Sequence, residues 1–249
     1  MGLSEGTEAL RGAFGFLTRI PIGHDEDDWE AFRNTPTAFV LVGYPVGALV
    51  SLSLFVPGRE ATAFALLLTI YFVCGINHVD GLADCADAAV VHGDRERRRE
   101  VMKDTTTGVG ALVAVALLVA GLALAGLALA PLPLLVAVGI VIAAEVGAKL
   151  AMALVVCLGE ASHEGFGSSF TEANAATDAL GPVLAALPVL VLVPVAGTVA
   201  LLASVGVALA ALAWSARSLG GVSGDVIGAT NELARLAALH LGVLAWTLW

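Results

Sequence analysis

Residues 108–144 read GVGALVAVALLVAGLALAGLALAPLPLLVAVGIVIAA, a run of 37 residues with no Asp, Glu, Lys or Arg. About 20 residues suffice for a helix to cross the hydrocarbon of a bilayer, so the run is too long for one crossing. Pro131 and Pro133 interrupt it near the middle, where a chain lacking backbone donors turns readily. The stretch therefore predicts a hairpin of two membrane helices, the second continuing to about residue 158. The rest of the chain agrees. Of its 249 residues 58% are apolar and 14% charged, with a mean hydropathy of +0.91, whereas soluble domains carry about 25% charged residues.

The same logic extends outward, because a charge at the centre of a crossing helix costs roughly 2.5–3.5 kcal/mol. Residues 38–56 and 61–77 form a hairpin around the break Pro57, Gly58, Arg59, Glu60. Residues 179–216 again lack charge, with a turn expected near 194–198. The last segment, 226–249, carries Glu232, Arg235 and His240 and reads as a seventh span rather than an interfacial helix. The expected fold is all-α: a polytopic membrane helical bundle of about six to seven transmembrane helices. It forms one domain over residues 1–249, with an N-terminal amphipathic, interfacial segment in residues 1–37.

Each hairpin returns the chain to one face, so residues 1–37, 78–107, 159–178 and 217–225 lie together. Arg11, Arg19, Arg33, Arg95, Arg97, Arg98, Arg99 and Lys103 fall in the first two of these segments. The positive-inside rule turns that face to the cytoplasm of a multi-pass cell-membrane protein. No cleavable signal peptide is expected. A net charge of −10 and a pI near 4.8 argue against nucleic acid as a partner. Cys74, Cys85 and Cys157 lie far apart without CxxC pairing and read as inert thiols. A homo-oligomer is compatible with the sequence, which does not require one.

Polar chemistry concentrates in a few segments of that face. In residues 77–87, NHVDGLADCAD, helical spacing places Asp80, Asp84 and Asp87 on one stripe. Three carboxylates repel one another unless a cation neutralises them, and oxygen donors favour Mg²⁺ or Mn²⁺ over zinc. Asp104 joins them after a basic run that includes Arg98, Arg99 and Lys103, and Gly108 and Gly110 follow. Cations beside metal-binding carboxylates suit a diphosphate, whose leaving phosphate they neutralise. Two further segments, around His163 and around Ser223, Gly224, Asp225 and Asn231, supply polar groups and glycines that admit phosphate oxygens. Glu145 and Lys149, at i and i+4 in an apolar helix, read either as a buried ion pair or as part of the site.

The blocks HVDGLADCADA, GDRERRREVMKDTTTGVGA and GGVSGDVIGATNE resemble, in that order, the signature blocks of the cobalamin synthase family. LTRIPIG and GYPVGAL extend the likeness over most of the chain. The resemblance implies a membrane enzyme that joins adenosylcobinamide-GDP to α-ribazole, or its 5′-phosphate, with release of GMP and a requirement for Mg²⁺. It implies a metal held by Asp80, Asp84, Asp87 and Asp104. Asp104, Asp87 and Lys103 take the catalytic roles, one of the two aspartates as general base. The substrate contacts it implies are His78, Arg98, Arg99, Gly108, Gly110, Lys149, His163, Ser223, Gly224, Asp225 and Asn231. Lys149 stands where members often carry Arg, and Thr106 where a basic residue often follows the MKD aspartate.

Two rival classes share some of these features. A CDP-alcohol-type membrane phosphotransferase also uses an Asp-Gly block, but there Ala-Arg and two later aspartates follow, whereas Ala83 here precedes Asp84. A transporter would place its ionisable groups near the bilayer midplane.

Overall fold

Gly75 and Ile76 break what would otherwise be one long helix: α4 (Arg59–Cys74) stops and α5 (Asn77–Val90) leaves at 97° to it. Gly75 sits at φ +73°, a conformation cheap only for glycine, and its N–H closes the last turn on the Tyr71 carbonyl. The bend lays the aspartate-bearing helix across the end of the bundle. The structure is a computed structural model that describes residues 3–23 and 25–249.

The remaining elements are α1 (Leu3–Leu17), α2 (Glu26–Arg33), α3 (Thr37–Ser51), α6 (Arg95–Met102), α7 (Val109–Leu129), α8 (Leu134–Leu158), α9 (Phe166–Thr171), α10 (Leu180–Ala186), α11 (Pro194–Ser218) and α12 (Gly224–Leu248). Short 3₁₀ turns extend α3 and flank α10. No strand occurs among the described residues; one isolated parallel bridge joins Ala161 to Val222. The expected all-α membrane bundle is what the chain forms. Its centre is α8, 94% of whose most apolar window is buried, against 28% for α7 and 33% for α11. Around α8 pack α3, α11 and α12, while α7 packs on α4 and α5.

Fewer of the described helices are long and apolar enough to span than the six or seven expected. Among the described residues four helices are long and apolar enough to cross a membrane: α3 with its 3₁₀ extension, α7, α8 and α11. Counting the bent α4–α5 pair as one span makes five. The apolar helix over Ala176–Val191 is too short, because Pro182 and Pro188 withhold backbone donors and divide it into 3₁₀ and α pieces. The following helix begins at Pro194 itself, so the turn lies just before the expected position. The helix α12 is as long as α8 but carries Asp225, Glu232 and Arg235. It packs against α5, α7, α8 and α11 and so does not lie on the surface.

The N-terminal segment folds as an amphipathic helix, as expected. Ala9, Ala13 and Leu17, four residues apart, form its buried stripe. With α2 it carries Phe16, Trp29 and Phe32 into a cluster with Phe39, Phe166 and Phe170, ring centroids 4.7–6.4 Å apart. This cluster fastens α9 to the N-terminal helices, and the loop bearing His163 leads directly into α9.

Candidate active site

The carboxylate stripe of α5 faces the connection between α6 and α7. Asp80, Asp84, Asp87, Lys103 and Asp104 line one cavity of about 330 Å³ together with Thr105, Thr106 and Thr107. Asp84 interacts electrostatically with Asp225, Asp80 and Asp87, so the pocket gathers negative charge from two helices. Asp225 arrives because α5 and α12 touch through glycine. A Cβ on Gly81 would stand 2.8 Å from the Asp225 Cα, and one on Gly228 3.1 Å from the His78 Cα.

Asp87 is engaged on the far side of the cavity. Its carboxylate accepts the N–H of Gly108 at 2.7 Å and of Ala111 at 2.9 Å, which satisfies donors that an α-helix leaves open at its N-terminus. Gly108 and Gly110 allow this approach, since a Cβ on either would collide with Asp87 or the Ala86 carbonyl. Asp104 is exposed and accepts the Thr106 N–H at 3.0 Å. That bond, with the Thr106 hydroxyl next and Arg97 a weaker contributor, holds its carboxyl below the usual carboxylate range.

A second, smaller cavity of about 30 Å³ adjoins the first through Met102 and Lys103, which line both. Its other walls are Arg99, Ser162, His163, Leu219, Ser223 and Asp225. Arg99 is anchored by donating to the Ser162 carbonyl at 3.0 Å. Ser223 caps α12 and donates to the Asp225 Oδ2 at 3.3 Å, while Gly224 opens the same helix against Phe166. Four carboxylates line the larger compartment, Arg99 and Asp225 line the smaller and Lys103 lines both, so a cation and a guanidinium-bound phosphate can be held side by side.

Other expected contacts stand apart from both cavities. Arg98 donates to the carbonyls of Ala88 and Ala89 at the end of α5. His78, Lys149 and Asn231 belong to a buried polar network in the bundle interior. Lys149 donates to Asn231 Oδ1 at 2.6 Å, and Asn231 Nδ2 lies 3.2 Å from His78 Nδ1 and 2.9 Å from Glu232 Oε1. Arg235 bridges Glu145 at 2.5 Å and Glu232 at 2.6 Å and also reaches the Cys74 sulfur at 3.7 Å. Glu145 and Lys149 are 3.8 Å apart. Of the two sequence-level alternatives for that pair, the structure shows a buried ion pair enlarged by two residues of α12. Sequence reasoning did not connect Arg235 to it, nor Ser162 and Thr105–Thr107 to the cavities. Those links depend on chain segments far apart, and only the charge of Arg235 inside an apolar helix signalled anything.

Among the described residues no three His, Cys, Asp or Glu side chains form a ready-made metal cage. Mg²⁺ rarely needs one, since it commonly takes one or two carboxylates and completes its shell with water and substrate phosphate. No hydrogen bond is made to the carboxylates of Asp80 and Asp84 from the described residues, so these acceptors remain available on the cavity wall. An all-oxygen, acidic wall of this kind fits Mg²⁺ held jointly with a diphosphate.

Residues 9–243 match the family described as cobalamin-5-phosphate synthase. An adenosylcobinamide-GDP ribazoletransferase of Halorubrum lacusprofundi is 53% identical, covering 96% of this chain and 98% of the relative. Bearers of the same name from Haloquadratum walsbyi, at 44% identity over 96% of this chain and 98% of that one, and Thermococcus kodakarensis, at 36% over 95% and 99%, are also similar. No solved structure matches. With likeness along nearly its whole length, the chain belongs to the cobalamin-5-phosphate synthase family.

Proposed function

We propose that the chain is an adenosylcobinamide-GDP ribazoletransferase. In this reading a ribose hydroxyl of α-ribazole, or of its 5′-phosphate, attacks the cobinamide-side phosphorus of the diphosphate in line, and GMP leaves. The observation that carries it is the acidic cavity adjoining a smaller one that presents Arg99, with Lys103 lining both. Asp80, Asp84 and Asp104 would hold Mg²⁺, and Asp87 supports their wall by fixing the start of α7. Mg²⁺, when bound, supplies positive charge to the diphosphate oxygens and so favours displacement. Lys103 and Arg99 hold the departing phosphate and neutralise the charge it gains. Anchorage of Arg99 on the Ser162 carbonyl keeps that guanidinium in place before substrate arrives.

The basic residues of the 1–37 and 78–107 segments support a cytoplasmic site in the cell membrane, where soluble nucleotide substrates are within reach. The test is release of GMP from adenosylcobinamide-GDP and α-ribazole by purified protein in lipid. Turnover with Mg²⁺ that falls at least about 100-fold in EDTA and returns with added Mg²⁺ is the expected result. A folded sample that releases no GMP overturns the reading, and one unaffected by EDTA overturns the metal assignment.

A further inference from the structure

Resting on the transferase reading above, we propose that residues 162–166 form a guanine subsite, in which Phe166 is the face that stacks on the base and Glu164 the acceptor that reads it. With the departing phosphate against Arg99 and Lys103 in the smaller cavity, the nucleoside of GMP extends past that cavity's other walls. Two of these, Ser162 and His163, open the loop that runs through Glu164 and Gly165 into Phe166. Two more, Ser223 and Asp225, flank Gly224, where a Cβ would stand 3.3 Å from the Phe166 Cβ. Both walls therefore lead to the same ring.

That ring is held in place and still open. Phe16 lies parallel to it, at 9° with ring centroids 5.2 Å apart, and Trp29 and Phe170 flank it at 5.2 and 6.4 Å. Despite three aromatic neighbours, Phe166 stays 53% exposed. A ring fixed in advance and left uncovered beside a phosphate compartment suits a nucleobase, because stacking asks only for the flat face that every base has.

Stacking accepts any base, so the choice of guanine falls to a polar group. Guanine presents two adjacent donors, N1–H and the 2-amino group, whereas adenine has a lone pair at N1 and no 2-amino group. A carboxylate accepts both guanine donors with its two oxygens and repels the adenine lone pair. Glu164 is exposed and makes no hydrogen bond or ion pair among the described residues. Gly165 places no side chain between it and Phe166. The nearby Asp225 is committed elsewhere: it accepts the Ser223 hydroxyl at 3.3 Å and interacts with Asp80 and Asp84 of the acidic wall.

The experiment follows formation of the joined corrinoid product by purified protein in lipid at fixed substrate, with GMP or AMP added, and reads the concentration of each that halves the rate. Wild type is expected to prefer GMP by about tenfold or more. Glu164→Ala is expected to bring the two nucleotides within about threefold of each other. Its kcat at saturating substrate is expected to stay within about threefold of wild type, since the base lies away from the reacting phosphorus. Glu160→Ala, which removes the same charge from the neighbouring stretch, is expected to keep the preference. Phe166→Leu, apolar but without an aromatic face, is expected to weaken GMP and AMP alike by about tenfold, and Phe166→Tyr to bind both as wild type does. Equal inhibition of the wild type by GMP and AMP, a Glu164→Ala enzyme that retains the preference, or a Glu160→Ala enzyme that loses it as fully, overturns the assignment while leaving the transferase reading intact. Absence of product from the wild type overturns both.

Discussion

Asp84 and Asp87 share a helix face and a cavity wall, yet their environments assign them different work. Asp84 has no hydrogen-bonding partner among the described residues and stands amid three other carboxylates. Asp87 is tied to the first turn of α7. Asp84→Asn is expected to lower turnover at least about 100-fold with the melting temperature essentially unchanged, because it removes a cation-holding charge and a source of repulsion together. Asp87→Ala is expected to destabilise the protein by about 1 kcal/mol, the usual cost of a lost cap. GMP release and a thermal melt of both variants distinguish the two roles; equal effects on melting would refute the division. The i, i+4, i+7 spacing made the stripe legible in the sequence, since helical periodicity is local. What each carboxylate touches was not legible, because the partners of Asp87 lie 21 and 24 residues away.

Among elements, the junction of α5 with α12 sets how closely Asp225 stands to the carboxylates of α5. Gly81 and Gly228 let the two helices meet backbone to backbone. Gly81→Val is expected to push α5 away from Asp225 and lower kcat by tenfold or more, whereas Gly206→Ala, at an open position on α11, is expected to leave turnover within about twofold. A Gly81→Val enzyme with wild-type kcat would show that the approach is dispensable. Charge-free runs predicted most of the helices well, including α7 and α8 with the turn at Pro131 and Pro133. They suggested more spans than there are described helices long and apolar enough to cross. A hydropathy run registers composition and passes over the 97° bend at Gly75 and the divisions at Pro182 and Pro188. The ring cluster joining α1, α2, α3 and α9 also escaped notice, its members being scattered over residues 16–170.

At the scale of the whole molecule, the polar network of Glu145, Lys149, Glu232 and Arg235 balances two negative charges against two positive ones inside an apolar bundle. The Arg235 side chain is fully buried. Arg235→Ala leaves two glutamates facing one lysine and is expected to destabilise the fold by about 3–5 kcal/mol, the usual cost of breaking a buried pair. A thermal melt in detergent or lipid reads this, and a shift of less than a degree would contradict it. In hydrocarbon, apolar side chains gain nothing by leaving lipid for protein, so cohesion rests on close packing and on groups of this kind.

Because two of those four charges lie on α8 and two on the final helix, ribosomal order has a consequence for biogenesis. During synthesis α8 emerges about 90 residues before its partner is complete, with Glu145 and Lys149 answering only each other. The helix α12 must then be delivered into a slot already prepared for it, so the bundle closes only when the 25 residues of α12 arrive.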